Sequence, residues 1–391
     1  MAEDAPRVAV IGSLASCDLG LGEQLLRAGI DATVLRHAVE GTPKDLDPEI
    51  FPALAARGIE VFGSRRELAM RLREFAFVFS YTSAVAMHLG PWLRAQRLAQ
   101  RLGWPQWMNI CTGSDMTERA VERTAAGAAQ RRALRSAFVN VVSNYPWAIG
   151  NAVALRLPNV VVLPFPFRPL PGPPAGDPPR TRSELVVFHP SNLDWGVTDN
   201  TPGRTSTKGN DRFLRAFARF EQETTRDVRL VMLDRGPDRA LARDLVGELG
   251  LDDVVMWRAG LSHAELYAAI RDADLVVDQF DVGGMGGIAW ESMALGTPVL
   301  TYLHRGSDRL SFDEPTPVLN AYTEDEILAA LRIAADPEAL AERRARVRGW
   351  MASRRDGQLD RYLLYMALAT GRHPHDAPPA PGAVGEDAGG R

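Results

Sequence analysis

The chain has 391 residues, of which 46% are hydrophobic and 24% are charged, as in a folded globular protein and unlike a disordered chain. This length exceeds what one hydrophobic core usually serves, so we expect two domains. The net charge of −4 argues against nucleic-acid binding, and the two distant cysteines, Cys17 and Cys111, exclude a disulfide framework or a cysteine-rich zinc cluster.

Short apolar segments alternate with helical segments through the first half of the chain. The strands are predicted at RVAVIG, IDATVLR, GIEVFG, FAFVFSY, QWMNICTG and AFVNVVSN, and a segment such as LGLGEQLLRAG indicates a helix. This alternation predicts a parallel sheet covered on both faces. A proline-rich stretch then predicts an extended linker, and a second alternating series begins at Leu185.

The segment from Asp278 to Leu300, DQFDVGGMGGIAWESMALGTPVL, is the most informative part of the chain. An apolar strand ends in carboxylates, and four glycines (283, 284, 286 and 287) separate it from a helix that carries Glu291. Glycines at such a turn let backbone N–H groups approach a ligand, and a helix N-terminus favours negative charge. A carboxylate one turn into the helix can accept two hydroxyl hydrogen bonds, as from a ribose. The pattern indicates a nucleotide diphosphate site, with Glu291 facing a cleft and not the core.

This motif and the strand, turn and helix series that starts at Val228 closely resemble the C-terminal domain of retaining GT-B glycosyltransferases of family 4. The shared residues include the run Glu291-Ser-Met-Ala-Leu-Gly-Thr-Pro-Val. The resemblance covers Leu185 to Leu303 well and the N-terminal half loosely. It implies an α/β fold (GT-B), with two Rossmann-like, doubly wound domains facing across a cleft.

The resemblance and the composition together predict the domain boundaries. An N-terminal acceptor domain covers 1–166, with a crossover helix at about 356–371 that returns to it. A Pro-rich linker covers 167–183, and a nucleotide-sugar donor domain covers 184–355. The Pro, Gly and Ala-rich tail, 372–391, is predicted to be disordered.

The resemblance also implies how a donor diphosphate is held. Lys208, in a Lys-Gly pair before a helix, matches the family's lysine, and Glu291 matches its ribose-binding carboxylate. The family's arginine position holds Ser191 or Asn192 here, so we expect Arg204 to substitute for it. Charge that builds up on the departing diphosphate must be stabilised, and an arginine with a lysine suits that task.

One departure from the family lies in the glycine-rich loop. The family usually has a second glutamate, which touches the donor sugar, eight residues before the ribose-binding one, and this position is Gly283 here. The nearby carboxylate is Asp281. The remaining donor-binding residues are expected to be Gly284, Gly286, Gly287, Asp281, Ser191, Asn192 and Leu261.

The N-terminal half offers polar candidates for the acceptor side, where the family places a glycine-bearing loop after the first strand. Gly12 and Ser13 match that loop, and Tyr81 ends a later strand. His88 and Asp115 are the candidates to touch the reacting sugar or the acceptor hydroxyl. A helix-packing histidine and an N-cap aspartate are the alternatives for these two residues.

No metal and no cofactor are expected beyond the donor substrate itself, a UDP- or GDP-linked sugar. Asp272-Ala-Asp274 looks like a metal-binding DxD motif, but it precedes a strand without the sheet context of that motif. We interpret both aspartates as helix-end and turn carboxylates.

The charge is distributed unevenly, with +4 from Met1 to Leu170 and −8 beyond. Arginines concentrate between Arg94 and Arg135, among the tryptophans Trp92, Trp104 and Trp107. Solvated helix faces explain this pattern, and the alternative is peripheral contact with an anionic acceptor or membrane surface. The N-terminus lacks the pattern of a signal peptide, and no apolar run reaches the roughly 20 residues that span a bilayer, so a cytoplasmic protein is expected, with the inner membrane face as the alternative.

The leading hypothesis is a retaining glycosyltransferase that moves a sugar from a nucleotide diphosphate sugar to an acceptor hydroxyl. The acceptor is a glycolipid, a polysaccharide precursor or a small metabolite. A GT-B-fold sugar-nucleotide epimerase and a non-catalytic glycosyltransferase-like partner protein are the alternatives. The residue pattern names neither the sugar, the base nor the acceptor.

Overall fold

The computed structural model describes residues 6–12, 17–39, 46–81, 84–89, 103–111, 116, 120, 122–164, 183–196, 207–354 and 357–371. The chain divides into two compact units. Unit 1 is formed by 1–143, 150–169 and 356–391, and unit 2 by 144–149 and 170–355. The predicted tail, 372–391, and all of the predicted linker except Ser183 lie outside the described residues.

Unit 1 is built on a seven-stranded sheet in the order β3-β2-β1-β4-β5-β6-β7, and every neighbouring pair of strands is parallel. The strands are β1 (Val8–Ile11), β2 (Ala32–His37), β3 (Glu60–Phe62), β4 (Phe77–Tyr81), β5 (Gln106–Cys111), β6 (Val139–Val142) and β7 (Val160–Val162). The described helices of the first half of the chain are α1 (Cys17–Arg27), α2 (Pro52–Arg57), α3 (Arg65–Arg71), α4 (Ala84–Leu89), α5 (Ala125–Ser136) and α6 (Pro146–Ala154), with a 3₁₀ turn at Leu72–Glu74. The first residues of α6 belong to unit 2 and the rest to unit 1.

Unit 2 is built on a six-stranded parallel sheet in the order β10-β9-β8-β11-β12-β13. The strands are β8 (Leu185–His189), β9 (Val228–Leu233), β10 (Val255–Arg258), β11 (Leu275–Val277), β12 (Val299–Thr301) and β13 (Leu319–Asn320). The helices are α7 (Asn210–Glu223), α8 (Arg239–Glu248), α9 (His263–Asp272), α10 (Gly287–Ala294), α11 (Arg305–Ser311), α12 (Glu324–Ala335) and α13 (Pro337–Ala352).

Strand β8 shows why this sheet is covered on both faces. All five of its residues are buried, and alternate side chains point to opposite sides. Leu185 and Val187 join a core with Phe213 and Phe217 of α7. Val186 and Phe188 line a small cavity against α9 on the other face. The predicted class, two doubly wound parallel α/β sheets, is confirmed.

Local signals place the ends of the helices as the sequence predicts. Ser262 forms a capping box with Glu265 and starts α9, because each side chain accepts a hydrogen bond from the other residue's backbone N–H. The last helix, α14 (Gly357–Thr370), belongs to unit 1. There the Tyr362 hydroxyl donates to the carbonyl of Pro164 at 2.8 Å.

Candidate functional site

The strand order of unit 2 reverses between β8 and β11, which creates a topological switch point at the carboxyl ends of these strands. Open α/β sheets bind ligands at such points. Ser191 follows β8 and Asp278 follows β11, and the Ser191 hydroxyl donates to Oδ1 of Asp278 across the switch point. Asp278 is 2% exposed, and its Oδ2 atom has no hydrogen-bond partner in the part of the chain that is described. Oδ2 of Asp278 is therefore a buried acceptor beside the glycine-rich loop that accepts no hydrogen bond from the described residues.

Gln279 links the Lys208 side chain to the glycine-rich loop by hydrogen bonds. The Lys208 ammonium donates to Oε1 of Gln279, and Nε2 of Gln279 donates to the carbonyl of Gly284 at 2.9 Å. The backbone of Lys208 is also fixed, since Phe280 N donates to its carbonyl at 2.7 Å. Gln279 is fully buried, so one amide fixes both the predicted lysine and the loop that starts the predicted phosphate site.

The glycine-rich loop is packed too closely for larger residues at several positions. A Cβ on Gly284 would overlap the ring of Tyr145, and a Cβ on Gly286 would lie 2.6 Å from Oδ2 of Asp278. Gly283 has a left-handed φ of +72°, and its Cβ would lie 3.1 Å from the Tyr302 ring. The glutamate found at this position in the family would therefore strain this loop. Gly286 is the N-cap of α10, so the loop delivers free backbone N–H groups at a helix N-terminus.

Glu291 lies on α10 and its side chain is buried, at 3% exposure. Its expected position facing a ligand cleft stays a prediction. The negative charge of Glu291 acts on the guanidinium of Arg235, a residue in the turn after β9. Burial around the Arg235 guanidinium lowers its pKa, and the negative charges of Glu291 and Asp278 raise it. The charges of both carboxylates therefore reach Arg235, although the residue as a whole is exposed.

His189, the last residue of β8, is fully buried beneath these groups. Its Nε2 lies 2.9 Å from Nδ2 of Asn210, and Oδ1 of Asn210 accepts from Asp194 N at 3.0 Å. Burial lowers the pKa of His189 to about 4, and the positive charges of Arg235 and Lys208 act in the same direction. Two cations therefore act on one buried, neutral imidazole.

The other predicted donor-side residues lie at the same edge of the sheet but differ in their contacts. Both carboxylate oxygens of Asp281 are engaged, by Arg212 and by Thr207, so this side chain holds the loop in place. Asn192 is exposed after β8. Leu261 is half-buried just before the cap of α9.

In unit 1, Gly12 and Tyr81 lie at the corresponding reversal of strand order, between β1 and β4. Gly12 has a φ of +86°, and its Cβ would overlap the carbonyl of Tyr81. The Tyr81 hydroxyl is buried and has no hydrogen-bond partner among the described residues. His88 instead stacks on His37 at 5.2 Å and meets the edge of Phe62, which is the environment of a packing histidine.

Several predicted residues lie outside the described residues: Arg204, Asp115, Ser13 and the arginines at 94, 97, 101 and 119. Their expected roles stay predictions. Arg131, in the described part of the same basic stretch, donates to the carbonyls of Ala120 and Glu122.

The two aspartates of the DxD-like run have the structural surroundings that we expected. Asp274 accepts from Val186 N at 3.0 Å and pairs with Arg344 at 3.1 Å. Within the described ranges, no group of three or more His, Cys, Asp or Glu side chains is placed to hold a metal ion. None of the helices described combines the length and apolar character needed to cross a bilayer.

Sequence reasoning missed Arg235 and Gln279. Both stand within two residues of the end of a buried strand, and β9, β8 and β11 are neighbours in the sheet. The signal that could have identified both residues is their position: each is a polar residue shortly after a strand, and the strands are neighbours in a parallel sheet.

A family model and a curated relative each match part of the chain. Residues 202–328 match the family model described as glycosyl transferases group 1. The chain is 34% identical over 93 residues to an MMP alpha-(1->4)-mannosyltransferase of Mycolicibacterium hassiacum. That match covers 24% of this chain and 22% of the relative, so the chain spans about a fifth of the length of this relative.

Solved structures match over nearly the whole chain at low identity, and they show the fold. A sucrose-phosphate synthase from Thermosynechococcus elongatus is 18% identical with a TM-score of 0.58, covering 94% of this chain and 100% of that one. TarM of S. aureus is 10% identical with a TM-score of 0.61, covering 92% of this chain and 99% of that one. The fold is thus that of GT-B glycosyltransferases, with two Rossmann-like domains, and residues 202–328 are similar to the glycosyl transferases group 1 model.

Proposed function

We propose that this chain, which carries a glycosyl transferases group 1 segment on a GT-B fold, moves a sugar from a nucleotide diphosphate sugar to an acceptor hydroxyl. One observation carries the proposal. The matched segment, 202–328, contains Lys208, the glycine-rich loop and Glu291, and the chain brings all three to the switch point of one sheet.

The proposed reaction breaks the bond between the sugar's anomeric carbon and the diphosphate oxygen, and it forms a bond from that carbon to the acceptor oxygen. The acceptor's proton passes to the departing diphosphate, so no pair of protein carboxylates is required. We propose retention of configuration on the strength of the resemblance to retaining enzymes. The residues of the chain must then bind and stabilise the diphosphate as its charge increases.

Two features of unit 2 suit that task, and a third suits the ribose. The Lys208 ammonium is oriented by the neutral amide of Gln279, and no carboxylate of the described ranges pairs with it. The loop before α10 presents backbone N–H groups at a helix N-terminus. Glu291 is the carboxylate for the ribose hydroxyls, each bond contributing about 1.5–3 kcal/mol.

The nature of the donor and acceptor is also a proposal. We expect a UDP- or GDP-linked hexose, and mannose is the first sugar to test because the curated relative is a mannosyltransferase. The expected acceptors remain a glycolipid, a polysaccharide precursor or a small metabolite.

The test is product analysis by mass spectrometry after the full chain is incubated with a panel of UDP- and GDP-linked sugars and acceptors. Transfer with release of the nucleoside diphosphate supports the proposal. An epimerised nucleotide sugar, or binding without turnover for every donor, would contradict it. The anomeric configuration of the product, measured by NMR, decides between retention and inversion.

The matched variants are Lys208→Ala and Arg239→Ala. Lys208→Ala should lower turnover by about 100- to 1,000-fold, as loss of a group that stabilises developing charge does. Arg239 is an exposed cation at the start of α8, so its removal should leave turnover nearly unchanged.

A further inference from the structure

The turn after β9 is attached rigidly to the switch point of unit 2. Leu193 N donates to the carbonyl of Arg235 at 3.0 Å, and Asp238 N donates to the carbonyl of Leu193 at 3.0 Å. Gly236 has a φ of +116°, and a Cβ there would overlap the Leu193 backbone. Arg235 therefore projects from a fixed backbone position, unlike an arginine on a loose surface loop.

The guanidinium of Arg235 is directed inward across the strand ends. Its Nη2 donates to the carbonyl of Pro190, directly after β8, at 2.9 Å. Its charge acts on His189, and the charges of Asp278 and Glu291 act on it in turn. These three residues belong to β8, to the end of β11 and to α10, so the guanidinium is near enough to all three for their charges to interact.

Arg235 and Lys208 share one feature. In the described ranges, neither has a carboxylate oxygen within 4.0 Å, and each donates to a neutral acceptor, Pro190 or Gln279. Several other arginines of unit 2 have carboxylate partners, as in the pairs Arg212–Asp281, Arg243–Asp234, Arg344–Asp274 and Arg354–Asp313.

Two cations that both act on His189 and have no close counter-ion form a place for an anion with more than one negative charge. Arg235 uses one of its five N–H donors on Pro190, so it retains donors for a second oxygen. The free N–H groups before α10 lie at the same switch point.

We propose that Arg235 is a second diphosphate-binding residue, which acts with Lys208 on the diphosphate of the ligand. This assigns to the β9 turn the role that the sequence assigned to Arg204. The inference rests on the proposed function for the identity of the natural ligand, and it is tested separately with inorganic pyrophosphate.

The experiment is calorimetric titration of the full chain with pyrophosphate, for the unaltered protein and for Arg235→Ala, Arg235→Lys, Arg204→Ala and Arg239→Ala. Arg235→Ala should weaken binding by about 10- to 100-fold, the usual loss for a charged hydrogen bond. Arg235→Lys should recover part of that loss because it keeps the charge but not the planar fork. Arg239→Ala, four residues away and exposed, controls for the loss of one surface charge.

Equal affinity in Arg235→Ala and the unaltered protein would overturn the inference, as would loss of binding in Arg204→Ala alone or absence of pyrophosphate binding altogether. Melting temperatures show whether Arg235→Ala is folded, and Arg235→Lys gives the test if it is not. If pyrophosphate binding depends on Arg235 but no donor gives sugar transfer, this inference holds and the proposed function is wrong. If sugar is transferred but pyrophosphate binding does not depend on Arg235, the proposed function holds and this inference is wrong.

Discussion

The tautomer of His189 is fixed because the side-chain amide of its neighbour Asn210 has only one orientation that satisfies its hydrogen bonds. Oδ1 of Asn210 accepts from Asp194 N, so its Nδ2 faces the imidazole and Nε2 of His189 must accept. A proton on Nε2 would place two donors face to face in a fully buried site. This geometry agrees with a pKa lowered to about 4 and keeps the imidazole neutral near neutral pH.

His189 should therefore make the fold sensitive to acid. Below pH 6.5 the unfolded chain takes up a proton that the folded chain, with a pKa of about 4, refuses, so stability falls as the pH drops through this window. The loss reaches about 3 kcal/mol at pH 4. Urea unfolding midpoints at several pH values measure it. His189→Gln should flatten the decline between these pH values, and an equally steep decline in the variant would show that other groups cause it.

Gln279 offers a second prediction at the residue scale, because its neutral amide leaves the Lys208 charge uncompensated. Gln279→Glu would place a carboxylate against that ammonium and would also lose the donor to the Gly284 carbonyl. Donor turnover should fall by about tenfold or more, since a charged partner competes with the ligand. Gln279→Met removes both hydrogen bonds of the amide without adding charge and should cost less. Equal losses in the two variants would mean that the added charge has no effect.

At the scale of the element, the glycine-rich loop is held by its surroundings as well as by its own backbone. Asn144 Oδ1 accepts from Met285 N and the Tyr145 hydroxyl donates to the Met285 carbonyl, both at 3.2 Å and both from the 144–149 segment of unit 2. Gln279 fixes the preceding residue, Gly284. The N–H groups that start α10 are thus positioned before any ligand binds, which limits the ordering cost of binding.

Two adjacent glycines of this loop provide a matched test. Gly286→Ala places a Cβ 2.6 Å from Oδ2 of Asp278 and should displace the loop, whereas a Cβ on Gly287 meets nothing within 4 Å. Nucleoside diphosphate affinity, measured by calorimetry, should fall by about tenfold in Gly286→Ala, in proportion to a lost hydrogen bond or two. Gly287→Ala should keep the affinity and gain up to about 1 kcal/mol of helix stability. Similar affinities in both variants would refute this view of the loop.

The elements themselves were largely predictable, because each carries a local signal. The apolar runs of β4 and β8, the Ser262 cap and the glycine turn before α10 all appear where the sequence indicates. The site was less predictable. Arg235 and Gln279 carry no motif, and their importance arises only when β9, β8 and β11 become neighbours. The charge interaction between Glu291 and Arg235 was also not predictable, because the helix pattern alone does not show which residues lie near Glu291.

At the scale of the whole molecule, both units show the same relation between topology and candidate residues. Each sheet reverses its strand order once. At the carboxyl ends of the strands beside the reversal, Gly12 packs against Tyr81 in unit 1, and Ser191 donates to Asp278 in unit 2. The acceptor role of unit 1 stays a prediction, and its other candidates, Ser13 and Asp115, lie outside the described residues.

Sugar transfer, once detected, should survive a chelator, because the proposed diphosphate site uses Lys208, Arg235 and the N-terminus of α10. Activity assays with EDTA check this. Loss of transfer with EDTA and its recovery with Mg²⁺ or Mn²⁺ would instead make Asp278 a ligand candidate, since its Oδ2 lacks a partner among the described residues.

The central claim is that the switch point of unit 2 holds a nucleoside diphosphate, and calorimetric titration of the full chain tests it most directly. UDP or GDP should bind at least about tenfold more tightly than the matching nucleoside, because each charged hydrogen bond to phosphate contributes about 1.5–3 kcal/mol. Glu291→Gln should weaken the diphosphate and the nucleoside alike, whereas Lys208→Ala should weaken the diphosphate alone. A chain that binds no nucleoside diphosphate, or binds one unchanged in both variants, would contradict the account.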